Sequence, residues 1–131
     1  MKNSVLACCL VFGFLLFGCD KNPYNQGEFL YGNFCANCHM DDGTGLETLI
    51  PPLANSDFVR EHPDSLPCLI RRGIKGRLVV NGKEFNTEMA GIPLLTEFEI
   101  TNVLNFINKA WGNDFNTIKH VDVRVALKAC E

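Results

Sequence analysis

The chain has 131 residues, 15 of them acidic and 12 basic, for a formal net charge of −3. That length holds one ordinary domain, or a small domain behind an export segment, and excludes two-domain enzymes and large cofactor folds. The acidic balance argues against nucleic-acid binding through bulk positive charge, and the chain has no internal repeat or low-complexity tract.

The N-terminus reads as an address. Lys2 gives a positive start, and in the thirteen residues from Val5 to Phe17 only Gly13 falls outside the apolar set. A membrane-spanning helix needs about 20 apolar residues, so this run fits a secretory signal better. It ends in Leu16-Phe17-Gly18-Cys19, which resembles the bacterial lipobox: a small residue before a cysteine that is lipidated and becomes N-terminal. Phe17 is bulkier than the usual residue at its place. The expected organisation is a lipoprotein signal peptide over 1–18, a tether over 19–26 and a folded domain over 27–131. The protein is then exported and lipid-anchored through Cys19, on the periplasmic or cell-envelope side. Simple cleavage, or an uncleaved anchor with Cys19 unmodified, is the alternative.

Seven cysteines are many for a chain of this size. Cys8 and Cys9 leave with the signal. Cys35-Ala36-Asn37-Cys38-His39 is a C-x-x-C-H motif, which in an exported chain reads as an attachment site for haem c. Two thiols must reach two vinyl groups on one edge of the porphyrin, and the histidine that follows then lies under the iron. A thioredoxin-like dithiol needs a strand before the motif, whereas residues 27–34 have the helical spacing of large residues. A zinc site needs a second pair at ligand spacing, and His62 and Cys68 make a poor one. Cys68 and Cys130 remain, a candidate disulfide that would pin the C-terminal extension. The competing reading is a buried Cys68 and a free Cys130.

A sixth ligand to the iron follows from elimination. Met1 is lost with the signal, and Met40 adjoins His39 and cannot cross to the other haem face. Met89 stays, in a loop-like Asn86-Thr87-Glu88-Met89-Ala90-Gly91-Ile92-Pro93 stretch. His62, His120 and an open sixth position are the alternatives, and a loop methionine can also be plain core filler.

These residues together resemble the class I bacterial monohaem cytochromes c, over roughly residues 24–112. Gly27 and Tyr31, eight and four residues before Cys35, stand where the family lets its first helix cross its last, with Val103 and Phe106 in the matching part of that last helix. The family continues its haem motif with glycine, and here Met40 stands instead. Ile50-Pro51-Pro52-Leu53 resembles the segment whose proline carbonyl accepts a hydrogen bond from the proximal histidine, which implies that role for Pro51. Phe85 stands where many relatives carry tyrosine. The resemblance implies an all-α cytochrome c fold, with helices wrapped around one covalent haem c held by Cys35, Cys38, His39 and Met89. It implies an electron carrier cycling between Fe(III) and Fe(II), not an enzyme, with redox protein partners, no nucleic acid and no small-molecule substrate. A fixed cytochrome subunit of a respiratory oxidase or reductase complex is the second reading. A haem sensor or peroxidase with an open sixth position is a remote third.

Helices are expected near 25–35, 64–72 and 120–129. Thr96 with Glu99 reads as a capping box, opening a helix that buries Ile100, Val103, Leu104 and Ile107 and ends near Trp111-Gly112. The last helix is expected to bury Val121 and Val125. Leu78 to Gly82 reads as a brief hairpin. Arg71, Arg72, Lys75 and Arg77 form a basic cluster, read as a docking patch, as a neutraliser of propionates, or as a plain solvated face.

Overall fold

The computed structural model describes residues 22–130, so the signal peptide, Cys19 and the start of the tether lie outside the described residues. Two helices make the frame. Helix α1 (Asn25–Phe34) buries Gly27, Leu30 and Tyr31. Further along come a single turn α2 (Ala36–His39), two short helices α3 (Asp57–Glu61) and α4 (Leu66–Arg72), the long α5 (Glu97–Lys109) and the terminal α6 (His120–Ala129).

Helix α5 forms for reasons visible in its sequence. Thr96 caps it: its hydroxyl accepts from the Glu99 backbone N–H, and the Glu99 carboxylate accepts from the Thr96 N–H in return. Its apolar residues at i, i+3, i+4 and i+7 are Ile100, Val103, Leu104 and Ile107, all buried. Helix α1 crosses this helix at Gly27, where an added Cβ would collide with the Asn102 carbonyl and with Phe106. The absence of a side chain at Gly27 is what lets the two backbones approach. Tyr31 closes the crossing, its ring 5.4 Å from Phe106 and 4.9 Å from Trp111.

The fold is helical but not all-α. Two small antiparallel ladders interrupt it, β1 (Gly73–Ile74) with β4 (Met89–Ala90), and β2 (Leu78–Val80) with β3 (Lys83–Phe85). The second is the expected hairpin, turned by Asn81 and Gly82, both at positive φ as a two-residue turn demands. The first pairs segments far apart in sequence, which no local pattern announces.

Three further details depart from expectation. A five-residue helix, α3, precedes the middle one, capped by the Ser56 hydroxyl, which accepts from the Val59 N–H at 3.2 Å. Helix α4 starts at Leu66, because residues 62–65 form a turn and Pro67 sits in the first helical turn where its missing N–H costs nothing. Helix α6 buries Val123 and Leu127, while Val121 and Val125 face outward. Cys130 explains that register, since 123, 127 and 130 share one face at i, i+4 and i+7. Cys68 and Cys130 form a disulfide, with their Cα atoms at 6.2 Å, which joins α6 to α4.

Candidate functional site

The C-x-x-C-H motif is wound into one helical turn directly after α1. The N–H groups of Cys38 and His39 both donate to the Cys35 carbonyl, at 3.1 and 2.9 Å. This puts Cys35, Cys38 and His39 on adjacent positions of a single turn. Both thiols are free, Cys35 buried and Cys38 exposed. Burial pushes the Cys35 thiol up to about 11, and the neighbouring Cys38 adds to the effect.

His39 is buried, and its Nδ1 lies 3.1 Å from the Pro51 carbonyl oxygen. A carbonyl only accepts, so the hydrogen bond requires the proton on Nδ1. Nε2 is then the unprotonated nitrogen of a neutral ring, and it has no hydrogen-bond partner among the described residues. Burial lowers the pKa of the ring, and the bond to Pro51 opposes part of that shift. The loop that brings Pro51 to the ring is pinned by backbone contacts. Gly45 donates to the His39 carbonyl at 3.1 Å, and a Cβ on it would strike the Ile50 and Pro51 carbonyls. Leu53 and Ala54 both donate to the Gly43 carbonyl.

Met40 follows the histidine at φ 63 and ψ 160. A side chain is strained there, which gives a physical reason why glycine would suit the position. Its carbonyl accepts from the Tyr31 hydroxyl and from the Gly43 N–H.

Met89 lies on a different element. It is half-buried in β4, opposite Ile74 of β1, and its segment is fastened to the end of α4 and not to the haem motif. His62 is exposed at the end of α3 with its ring 4.6 Å from Phe58. His120 stacks on Phe98 at 3.8 Å and faces Glu97 at 3.6 Å. Among the described residues no three His, Cys, Asp or Glu side chains form a metal-holding group, so the zinc alternative lacks a ligand set there. A helix, not a strand, precedes the motif, which removes the thioredoxin-like context.

Of the basic cluster, Arg72, Lys75 and Arg77 stay exposed, and two of them are paired with carboxylates. Arg71 turns inward and donates through Nη2 to the Leu95 carbonyl at 2.9 Å. Lys75 pairs with Glu88 at 3.0 Å and Arg77 with Glu84 at 3.1 Å, both on the surface. The Arg71 Nε is buried and unpartnered.

Two residues that matter to the site carry no motif signal. Trp111 donates its indole N–H to the Asp41 carbonyl at 2.9 Å across 70 residues, and its ring covers Gly43. Asn113 accepts from the Asn55 N–H at 2.7 Å and donates to the carbonyls of Leu53 and Ile107. Together they clamp the Met40–Asn55 loop to the end of α5. The sequence offers only Trp111-Gly112-Asn113 as a helix ending.

The donor set fits a haem c. Two free thiols stand on one turn, a neutral imidazole has its second nitrogen tied back, and a thioether lies on a separate segment. The orphaned Arg71 Nε–H is a buried cationic donor that a carboxylate of a bound group would satisfy.

The comparisons agree with that fit. A family profile for cytochrome c matches residues 24–111. A cytochrome c-552 of Thermus thermophilus is 32% identical over 120 residues, covering 86% of this chain and 74% of that protein. The cytochrome c subunit of the quinone alcohol dehydrogenase of Gluconobacter oxydans is 38% identical over 93 residues, covering 69% of this chain. The match spans only 19% of that subunit's length. A profile over most of the chain and a relative matched along most of both lengths show that the chain belongs to the cytochrome c family, electron-transfer proteins with covalently bound haem c.

Proposed function

We propose that Cys35 and Cys38 hold the haem through thioethers, and that His39 Nε2 and Met89 Sγ are the axial ligands of its iron. The observation that carries this is the His39–Pro51 contact, which fixes the ring on the motif turn with Nε2 as the free nitrogen. The haem supplies a one-electron Fe(III)/Fe(II) couple, at a potential that methionine ligation raises relative to bis-histidine.

The chain's own residues do the rest. Pro51 holds the imidazole in one orientation and strengthens its donor character. Burial of His39 keeps water from the ligand. Held by both side chains, the iron would have no place for a substrate, and the protein would act as a carrier and not a catalyst. The stacking of His120 on Phe98 and the exposure of His62 support Met89 over either histidine.

The test is absorption spectroscopy of the haem-loaded protein and its Met89→Ala variant. The expected result is a c-type reduced spectrum and a weak far-red methionine–iron band that vanishes in the variant. A c-type spectrum with no such band in either protein, or tight carbon monoxide binding by the reduced wild type, would remove Met89 and leave His62, His120 or an open position.

The donor and acceptor are proposed to be envelope redox proteins. The relative named as a dehydrogenase subunit supports a second reading, a fixed subunit of an oxidoreductase complex. A stable complex that co-purifies would favour it. Export and lipid attachment at Cys19 rest on the sequence of residues 2–19. No helix among the described residues is long and apolar enough to cross a membrane. The wild type is expected in the membrane fraction and a Cys19→Ser variant outside it, and equal distribution of the two would sink the anchor.

A further inference from the structure

The covalent bond between Cys68 and Cys130 lies outside the haem motif, and the electron-transfer function does not require it. Its position in the fold gives it a consequence for the site. Cys68 is the third residue of α4, a helix of only seven residues. A helix that short does not hold its own shape in water. It is kept in place by the burial of Leu66, Pro67 and Ile70 and by the bond to Cys130 at the end of α6.

The other end of α4 carries the Met89 segment. Arg72 runs straight into β1, and β1 pairs with β4: Gly73 opposite Ala90, Ile74 opposite Met89. The Ile92 N–H donates to the Ile70 carbonyl at 2.8 Å. Arg71 donates to the Leu95 carbonyl at 2.9 Å. Gly91 presses so close to the backbone of Arg71 and Arg72 that a Cβ would not fit, and a Cβ on Gly73 would strike the Met89 carbonyl. Every long-range backbone hydrogen bond from residues 89–95, among the described residues, ends on α4 or β1. Ala90, Pro93 and Leu94 are exposed, so apart from these bonds the segment is held by Ile92, which packs partly against the core, and by the buried Leu95 at its end.

We infer that the Cys68–Cys130 bond is a positioning element for Met89. It fixes α4 against α6, and α4 in turn holds the strand that presents the thioether. Without the bond, the segment from Met89 to Leu94 opens locally, up to the buried Leu95, while the α1–α5 frame stays folded, and the iron loses its sulfur ligand a larger share of the time. The inference rests on the reading of Met89 as a ligand for its spectroscopic consequence, but not for its mechanical one.

The test is a haem-loaded Cys68→Ala/Cys130→Ala protein, which leaves no spare thiol to interfere with Cys35 and Cys38. Two readouts are taken well below the unfolding temperature. The Ile92 amide is expected to exchange its hydrogen at least about tenfold faster, relative to the amides of α5, than in the wild type. The ferric far-red band is expected to fade on warming before the helical circular dichroism does. Equal acceleration of Ile92 and α5, or a band that fades in step with the helices, would mean that the bond adds only global stability and would overturn the inference. If the wild type shows no far-red band, the ligand reading fails and the exchange experiment still decides the brace. Should the double alanine variant not fold, Cys68→Ser/Cys130→Ser cuts the same bond with side chains closer in size and must loosen Ile92 selectively; unchanged exchange there counts against the brace.

Discussion

The α1–α5 frame and the stretch from Met40 to Leu95 are held by different forces. In the frame, Ile100, Val103 and Leu104 are essentially inaccessible to solvent, and α1 packs on α5 through a glycine contact. In the loop stretch the regular elements are short; each gives the core one or two apolar side chains, among them Val59, Leu66, Ile70 and Leu95, and the loops between them are ordered by single polar links: Pro51 to His39, Asn113 to Asn55 and Leu53, Trp111 to Asp41, and the mutual bonds of Asp57 and Asn81. Leu46 and Leu49 in that stretch are exposed. The frame is a core that stabilises itself. The loop stretch is fastened to that core through a few apolar side chains and through ties between loops. Substitutions in the α5 stripe and at the exposed positions of the loop stretch are therefore expected to differ in kind.

The largest effect belongs to the frame. Leu104→Ala removes a fully buried side chain at the centre of the α5 stripe and leaves a cavity, so it is expected to destabilise by about 3 kcal/mol. Leu49→Ala, the same change at a loop position 60% exposed, should move the denaturation midpoint little. Equal losses at the two positions, measured by denaturant unfolding of the haem-loaded proteins, would dissolve the distinction between frame and ties.

The frame was also the part legible in the sequence. The α5 stripe and its capping box are periodic and local, and so is the spacing of Gly27, Tyr31 and Cys35. The loop stretch was legible where a local signal marked it, as for the hairpin at Asn81-Gly82 and the helix that stops at Gly73, or where a motif or a likeness to known proteins did. The contact of His39 with Pro51 spans 12 residues and no periodicity encodes it. The β1–β4 ladder, the Asn113 clamp and the indole bond of Trp111 are long-range polar contacts made by residues that look like ordinary turn formers. Even in a helix, periodicity alone misjudged the face: Val121 and Val125 recur at i, i+4, yet the link to Cys130 turns Val123 and Leu127 inward. For the basic cluster the structure fits the reading as a plain solvated face, and Glu84 and Glu88, which pair with two of its members, come from the segments that follow it.

A second prediction has the opposite sign. Met40 holds φ 63 and ψ 160, a conformation that suits glycine. Such strain costs on the order of 1–3 kcal/mol. Met40→Gly relieves it, against the greater freedom that glycine gives the unfolded chain, about 1 kcal/mol. The net expectation is a stabilisation of about 1 kcal/mol, read as a higher denaturation midpoint. A lower midpoint would show that contacts of the Met40 side chain outweigh its backbone, and that the turn after His39 is packed like the frame.

The smallest effect lies at the seam between the regions, where the chain leaves the Met89 segment and enters α5. Thr96→Ala deletes the cap hydroxyl and is expected to cost about 1 kcal/mol at neutral pH. Part of that cost depends on pH. Hydrogen bonds from the Thr96 backbone N–H and then from its hydroxyl lower the pKa of the Glu99 carboxyl. A carboxyl whose folded pKa is depressed stabilises the fold above its unfolded pKa, and that stabilisation is lost as pH falls through the folded value. The variant keeps the backbone donor but lacks the hydroxyl, so its Glu99 is less depressed. The gap between wild type and variant should thus be widest at neutral pH and narrow as the solution is acidified below the usual carboxylate range. It should not close, because the Thr96 hydroxyl still accepts from the Glu99 N–H when the carboxyl is protonated. Thermal midpoints of both proteins across that range measure the gap directly. A gap independent of pH would mean that the hydroxyl acts only as an acceptor for the helix backbone, and that the carboxylate half of the box contributes nothing to holding the seam.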